Sequence, residues 1–421
     1  MLALLALLTL GACHKPVAQA AAVGPPAPKV TINALVWAPD WTDEMQQIAA
    51  EFMRLNPDVR VNLQFMIGNS IEENMKPTVT ARKLPDLMSI NPNAYAAELA
   101  EQGIFADVSK TEAWANMLPS LKADWTTRSN KRFGISGGVA ATLIYYNRSM
   151  FEKAGIKNLP TNFDEFLAVC AQLKKAGFTP IMWNGGFPNM MGNGPFSFGF
   201  ANNVVAHTPD WKERMAKGTL DLDTPEGADI FAKIKLIAER GYAQPGYINT
   251  NYDEGMHLFT EGKTAMAFHG TWASGALMHG KGFQTGVFIP PWNARGRDVI
   301  PVLGSETGFA VCETPNKAAA LRFLDFIFGR GFVIQHNKRQ NIPPLENMPG
   351  KIMSDMQIVA YINTISKYPV SGTLYYSFLP ANTIEMLHPL IQSVLADKVT
   401  PQQAAKALDA SIKHEAKHNY K

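Results

Sequence analysis

The chain has 421 residues and a formal net charge of +3, from 39 Lys and Arg against 36 Asp and Glu. It is 46% hydrophobic and only 18% charged, and its 32 Gly and 28 Pro follow no period, which excludes a disordered chain, a collagen and a coiled coil. So small a positive charge makes no electrostatic case for nucleic acid, no internal apolar run reaches the roughly 18 residues that span a bilayer, and 3 cysteines are too few for a disulfide framework.

At roughly 150 residues per domain, the chain is long enough for two or three cores. Leu2 to Leu10 is short and almost wholly apolar, the pattern of a signal-peptide core rather than a spanning helix. It stops at Leu10-Gly11-Ala12-Cys13, which resembles the lipobox of bacterial lipoproteins, although no Lys or Arg precedes the run. The resemblance implies cleavage after residue 12 and a lipid on the Cys13 thiol. From Cys13 to Lys29 the chain carries Pro16, Pro25, Pro26 and Pro28 among alanines, a composition that makes a semi-extended tether. These features set the expected address: periplasmic or cell-surface, with the membrane reached through the lipid alone. Of the two remaining cysteines, Cys170 falls on the apolar stripe of a predicted helix and reads as a buried free thiol.

Strands and helices then alternate. Val30 to Val36 is a β-branched strand, and Thr42 to Asn56 has helical spacing in Met45, Ile48, Ala49, Phe52 and Leu55. Val59, Val61, Leu63 and Phe65 alternate with Arg60, Asn62 and Gln64, which predicts a half-buried strand. Leu87 to Ile90 is a short strand, and Ala94 to Gln102 a helix stopped by Gly103. The β-α-β-α order implies a largely parallel sheet covered by helices. Leu143 to Tyr146 is a strand, and Thr161-Asn162-Phe163-Asp164 opens a helix with Phe163, Phe166, Leu167, Cys170 and Leu173 on one face. Ala228 to Glu239, Ala318 to Phe328 and the stretch from Ile384 to Leu395 read as helices, with Ala265 to Phe268 and Val287 to Ile289 as strands. Thr400-Pro401-Gln402-Gln403 is a capping box with proline at the first helical position, and starts the last helix.

Enzyme motifs fail on their context. Gly134-Ile135-Ser136-Gly137-Gly138 has the hydrolase spacing, but an apolar, strand-like run follows it where a helix is needed. Gly262-Lys263-Thr264 ends like a phosphate-binding loop, yet His257 stands where the upstream glycine belongs. His257, His269 and His279 are too far apart for a local zinc motif, so no metal or cofactor is expected. No stretch points to the paired carboxylates of a glycoside hydrolase.

The aromatics carry more. Trp41, Trp183, Trp272 and Trp292 each sit just beyond a strand, where open parallel sheets bind ligands. A sugar offers apolar C–H faces to an indole and hydroxyl edges to Asn, Asp or Glu.

The stretch from Phe133-Gly134-Ile135 through Ile144-Tyr145-Tyr146-Asn147-Arg148-Ser149-Met150-Phe151-Glu152-Lys153-Ala154-Gly155-Ile156 to Leu159-Pro160-Thr161-Asn162-Phe163-Asp164-Glu165-Phe166 resembles the core signature of family 1 extracellular solute-binding proteins, the sugar receptors of ABC importers. Ala50-Glu51-Phe52 with Asn56 to Val61, Phe259 to Met266 with Gly270-Thr271-Trp272, and Thr314 to Lys317 with Ala320 to Leu324 are similar to further family segments, in order along the chain. The resemblance implies a two-lobed α/β fold, each lobe a mostly parallel sheet flanked by helices and joined by a multi-segment hinge. Residues 30–138 plus 290–311 would form one lobe, and 139–289 plus 312–421 the other with the C-terminal helices. Gly138, Val139, Pro290 and Val311 would mark the hinge. Carried over position by position, the ligand contacts would be Asp40, Trp41, Asn91, Asn93, Trp183, Asn184, Trp272 and Glu306. The implied partners are a carbohydrate and the transmembrane subunits of an ABC permease, served by a monomer without catalysis. Ala140 stands where the family's maltodextrin receptors place a ligand carboxylate, which implies a different saccharide. A receptor for glycerol-phosphate or polyamine is the alternative, and a surface-anchored glycoside hydrolase a more distant one.

Overall fold

The computed structural model describes residues 29–68, 70–347 and 354–419. The expected signal peptide, Cys13 and all of the tether except Lys29 lie outside the described residues.

Among the described residues, nine strands form two sheets. The first runs in the order β2 (Val59–Phe65), β1 (Val30–Val36), β3 (Leu87–Ile90), β9 (Gly308–Val311). β1 pairs in parallel with β2 and β3, and β9 returns antiparallel to β3. β2 turns Val59 and Val61 inward and Arg60, Asn62 and Gln64 outward, as its alternation predicts for an edge strand. The second sheet has the order β5 (Thr179–Met182), β6 (Thr264–Gly270), β4 (Val139–Asn147), β7 (Thr285–Phe288), with β8 (Val302–Ser305) on the first half of β4. β4 is buried along all nine residues because strands flank it on both edges and helices cover both faces, so its sequence is continuously apolar rather than alternating. Only β5 and β6 are parallel here; β4 runs against β6, β7 and β8. The expectation of a mostly parallel sheet therefore holds in the first lobe and not in the second.

Each sheet has its own apolar core. The first gathers Phe52, Leu87, Trp125, Phe309 and Phe323; the second gathers Phe166, Phe198, Phe268, Trp292 and Leu387. Cys170 and Cys312 are buried free thiols, one in each core. These cores move the lobe boundaries. Residues 290–305 belong to the second lobe, since Trp292 packs on Phe268 and β8 pairs with β4. The helix Lys317–Phe328 belongs to the first, where Phe323 lies 4.9 Å from Phe52, ring centre to ring centre.

The chain crosses between lobes near 135–139 and 305–308, and it is back in the second lobe by Ile358, which packs with Leu143 and Tyr145 of β4. Ile135 bridges to Phe309 in the first lobe, and four residues on Val139 pairs with Ser305 and Ile342. Leu345 is still in the first lobe, bridged to Met117. Gly138 and Val139 stand at the first crossing. Pro290 and Val311 stand at none: Pro290 precedes the Trp292 core anchor, and Val311 lies inside β9. The turn from β8 to β9 changes sheets within three residues, a switch too short to leave a compositional signal.

Candidate functional site

Loops from both lobes meet beside the crossings. The loop after β1 brings Trp37, Pro39, Asp40 and Trp41, the end of β3 brings Asn91, and the turn into β9 brings Glu306 and Thr307. The second lobe answers with Phe187, Asn189, Tyr252, Trp272 and Tyr376, and Arg339 comes from the end of the helix Arg330–Arg339. Together they enclose about 90 Å³. Small-molecule clefts usually run to roughly 300–1,000 Å³, so the lobes stand close together. A second interlobe hollow of about 480 Å³ lies between Tyr95 and Glu98 of the helix Ala94–Glu101 and Trp211 and Phe378 of the other lobe. Beside it the Lys76 ammonium reaches across the lobes to Glu385 Oε1 at 2.7 Å and Asn382 Oδ1 at 2.6 Å.

Among the described residues the cavity holds two carboxylates and one guanidinium. Glu306 is 3% exposed. It accepts from Arg339 Nη2 at 3.2 Å and from Asn341 Nδ2 at 3.3 Å. Burial pushes its carboxyl above the ordinary range, against the pull of Arg339. Asp40 accepts from the Tyr252 hydroxyl at 3.4 Å and is likewise raised by burial, with Arg339 opposing. Burial and the Asp40 charge push the Tyr252 phenol well up, so it stays a donor. Arg339 lies 5.5 Å from the centre of the Trp41 ring, a cation–π arrangement, and its buried Nε has no hydrogen-bond partner among the described residues. Both crossings feed this group. The Glu306 amide donates to Gly138 O at 3.0 Å, and a Cβ at Gly138 would stand 2.9 Å from the Glu306 carboxyl carbon.

The eight residues expected from the sequence divide. Asp40, Trp41, Asn91, Trp272 and Glu306 line the cavity. Trp272 is seated by its neighbour: a Cβ on Gly270 would be 2.1 Å from the indole, so only glycine lets the ring lie there. Two of the five also hold contacts within the protein. The Trp41 ring already carries Arg339 and meets Phe309 edge-on. The Asn91 amide is committed, donating to Glu72 Oε1 at 3.0 Å and accepting from Thr307 Oγ1 at 2.6 Å. Asn93, Trp183 and Asn184 do not line the cavity. Asn93 caps its helix by accepting from the Ala96 amide, and donates to Glu72. Trp183 is 1% exposed in the second core, edge-on to Tyr247. Asn184 donates to the carbonyls of Asn251 and Tyr252, which fixes the start of the helix Tyr252–Thr260.

Arg339, Tyr252, Asn189, Tyr376 and the buried Glu72 were not legible as site residues. Ser70-Ile71-Glu72-Glu73 does carry a capping signal, and Ser70 Oγ accepts from the Glu73 amide. Asn251 before Tyr252, Asp253 and Glu254 is another. Both place a helix start at the cleft. Arg339 ends the helix Arg330–Arg339, whose sequence has no clear apolar stripe.

Residues 38–331 match the sequence profile described as bacterial extracellular solute-binding protein. A Brucella abortus (strain 2308) protein named as a candidate binding protein is 24% identical over 315 residues, covering 73% of this chain and 74% of its own. A solved chitin oligosaccharide binding protein superposes with a TM-score of 0.81 at 19% identity, over 93% of this chain and 100% of that one. RafE in complex with raffinose superposes at 0.77 and 19% identity, over 91% and 99%. The apo form of RafE from Streptococcus pneumoniae gives 0.67.

Proposed function

The chain belongs to the family of bacterial extracellular solute-binding proteins, and from that premise we propose that it is the carbohydrate receptor of an ABC importer. It binds a mono- or oligosaccharide between its lobes and delivers it to a permease in the membrane. The observation that carries this reading is the Trp272 indole, laid on Gly270 at an interlobe cavity that also holds Asp40, Glu306 and Arg339. An aromatic face takes the C–H side of a sugar ring, and the charged groups take hydroxyls in charge-assisted hydrogen bonds. Proteins of the same fold bind chitin oligosaccharides and raffinose, which supports the ligand class. Closure would bring both lobes onto one ligand, so ligand favours the closed state. The receptor acts as a monomer, without catalysis, and Cys13 carries the lipid that holds it to the membrane.

A thermal-shift panel on the chain from Lys29 onward tests this. Saccharide at ~100 times its dissociation constant should stabilise the fold by about 2.7 kcal/mol. The ligand should come back intact. A saccharide that shifts the melt and returns cleaved would replace the receptor with a hydrolase, for which two cleft carboxylates are at hand. Silence from every saccharide would end the carbohydrate reading. Radiolabelled palmitate incorporation into the full chain, lost in Cys13→Ala, tests the anchor.

A further inference from the structure

The charged groups of the cavity do not balance. Among the described residues, Asp40 and Glu306 are the carboxylates of its lining and Arg339 its cation. Lys338, next in the chain, turns its ammonium to Glu44 at 3.1 Å. A third carboxylate, Glu72, lies behind Asn91 at 2% exposure, with its oxygens on Ser70, Asn91 and Asn93, all neutral donors. Arg339 is spent on Glu306 and the Trp41 face. Asp40 has no ion-pair partner within 4 Å among the described residues, only the Tyr252 hydroxyl at 3.4 Å.

We infer that this cleft sorts saccharides by charge, taking neutral and amine-bearing sugars and rejecting those that carry a carboxylate or phosphate. The inference rests on the carbohydrate reading above and adds the ligand's charge class to it. A neutral hydroxyl meets both open groups, because it donates to Asp40 and accepts from the buried Nε–H of Arg339. An ammonium satisfies Asp40 and lowers the excess of negative charge. An acid on the ligand finds a guanidinium already paired and faces two carboxylates across a poorly hydrated cavity, where like charges repel most strongly.

The test uses matched sugars on the wild-type chain: glucose, glucosamine and glucuronate; and N,N′-diacetylchitobiose with its free-amine counterpart. Spermidine and glycerol 3-phosphate are added. The expected result is a melting shift from a neutral sugar or its amine, with the matched acid needing at least ~10-fold more ligand for the same shift. Asp40→Asn, which keeps the shape, should narrow that gap, with circular dichroism confirming the fold. An acid that binds as well as its neutral partner overturns the charge sorting and leaves the carbohydrate reading standing. Spermidine alone active would overturn both, since no saccharide would then be sorted. Glycerol 3-phosphate alone active, or no ligand active, would overturn both.

Discussion

An indole lies flat on a backbone only where that backbone carries no side chain, and Trp272 meets the condition at Gly270. Gly270→Ala must lift the ring, since the new methyl would start 2.1 Å from it. Gly270→Ala and Trp272→Ala should therefore weaken saccharide binding alike. Aromatic stacking is worth about 0.5–1.5 kcal/mol beyond area burial, so the loss approaches tenfold in Kd, readable by calorimetric titration. Unchanged affinity in Gly270→Ala would remove the indole as the sugar platform. His269, behind the same ring, gives a second residue-scale prediction. Its Nδ1 accepts from the Gly270 amide, and burial holds the imidazole at about 3. Burial holds His388 at about 4, with its Nε2 against the Tyr375 hydroxyl. Both folded values lie below the ordinary value, so the unfolded chain takes up protons first as pH falls. Stability should be intact above about pH 6.5 and decline below it, by up to about 1.4 kcal/mol per pH unit for each histidine. Asp40 and Glu306, raised by burial, bend the curve the other way near the carboxylate range. His269→Gln should flatten the decline between pH 6.5 and 4 in urea melts; an unchanged slope would show that His269 is not the group that resists protonation.

At the scale of elements, legibility followed how local the deciding physics is. Helix starts depend on a few adjacent residues, and they read well. The box expected over Thr161 to Asp164 closes one residue later: Asn162 accepts from the Glu165 amide at 3.1 Å while the Glu165 carboxylate accepts from the Thr161 amide and hydroxyl. Thr400 and Gln403 exchange the same pair of bonds at the last helix. Asn162→Ala should cost about 1 kcal/mol, the usual worth of an N-cap, seen as a lower urea midpoint at unchanged slope. A loss within error of zero would mean the Glu165 side suffices. The helical run from Pro188 to Val205, which supplies Asn189 and Asn193 to the cleft, was not legible. Its Gly192-Asn193-Gly194-Pro195 sequence reads as a loop, and the surrounding core overrides that preference: Phe196, Phe198 and Phe200 are all buried. The same limit explains Trp183. A tryptophan after a strand points to a cleft in sequence, but which way the loop turns it is decided by Tyr247 and Gln244, more than sixty residues on.

The described residues form two lobes joined by a few passing segments, so the shape depends on weak ties between lobes rather than on one continuous interior. Two ties sit apart from each other. Near the crossings, Glu306 bonds backbone to Gly138 and side chain to Arg339 and Asn341, so one residue ties both crossing segments to the 339–341 turn. Far from them, Lys76 of the helix Ile71–Thr80 spans to Glu385 and Asn382 of the helix Ala381–Leu395. The Lys76 and Glu385 side chains are 29% and 32% exposed, so the pair is worth at most about 1 kcal/mol and salt screens it. That is small against the stability of either core, yet it changes a closed-to-open ratio about fivefold. Lys76→Met should therefore leave the melting temperature of the ligand-free chain nearly unchanged while raising its radius of gyration in X-ray scattering. Glu385→Gln should do the same, and the double variant should add little, because both remove one tie. Raising salt to 1 M should expand the wild type toward the variants and leave the variants where they are. Equal radii for all four proteins at low salt would mean that the crossings alone set the lobe spacing, and that Glu306 rather than the distant pair holds the cleft closed.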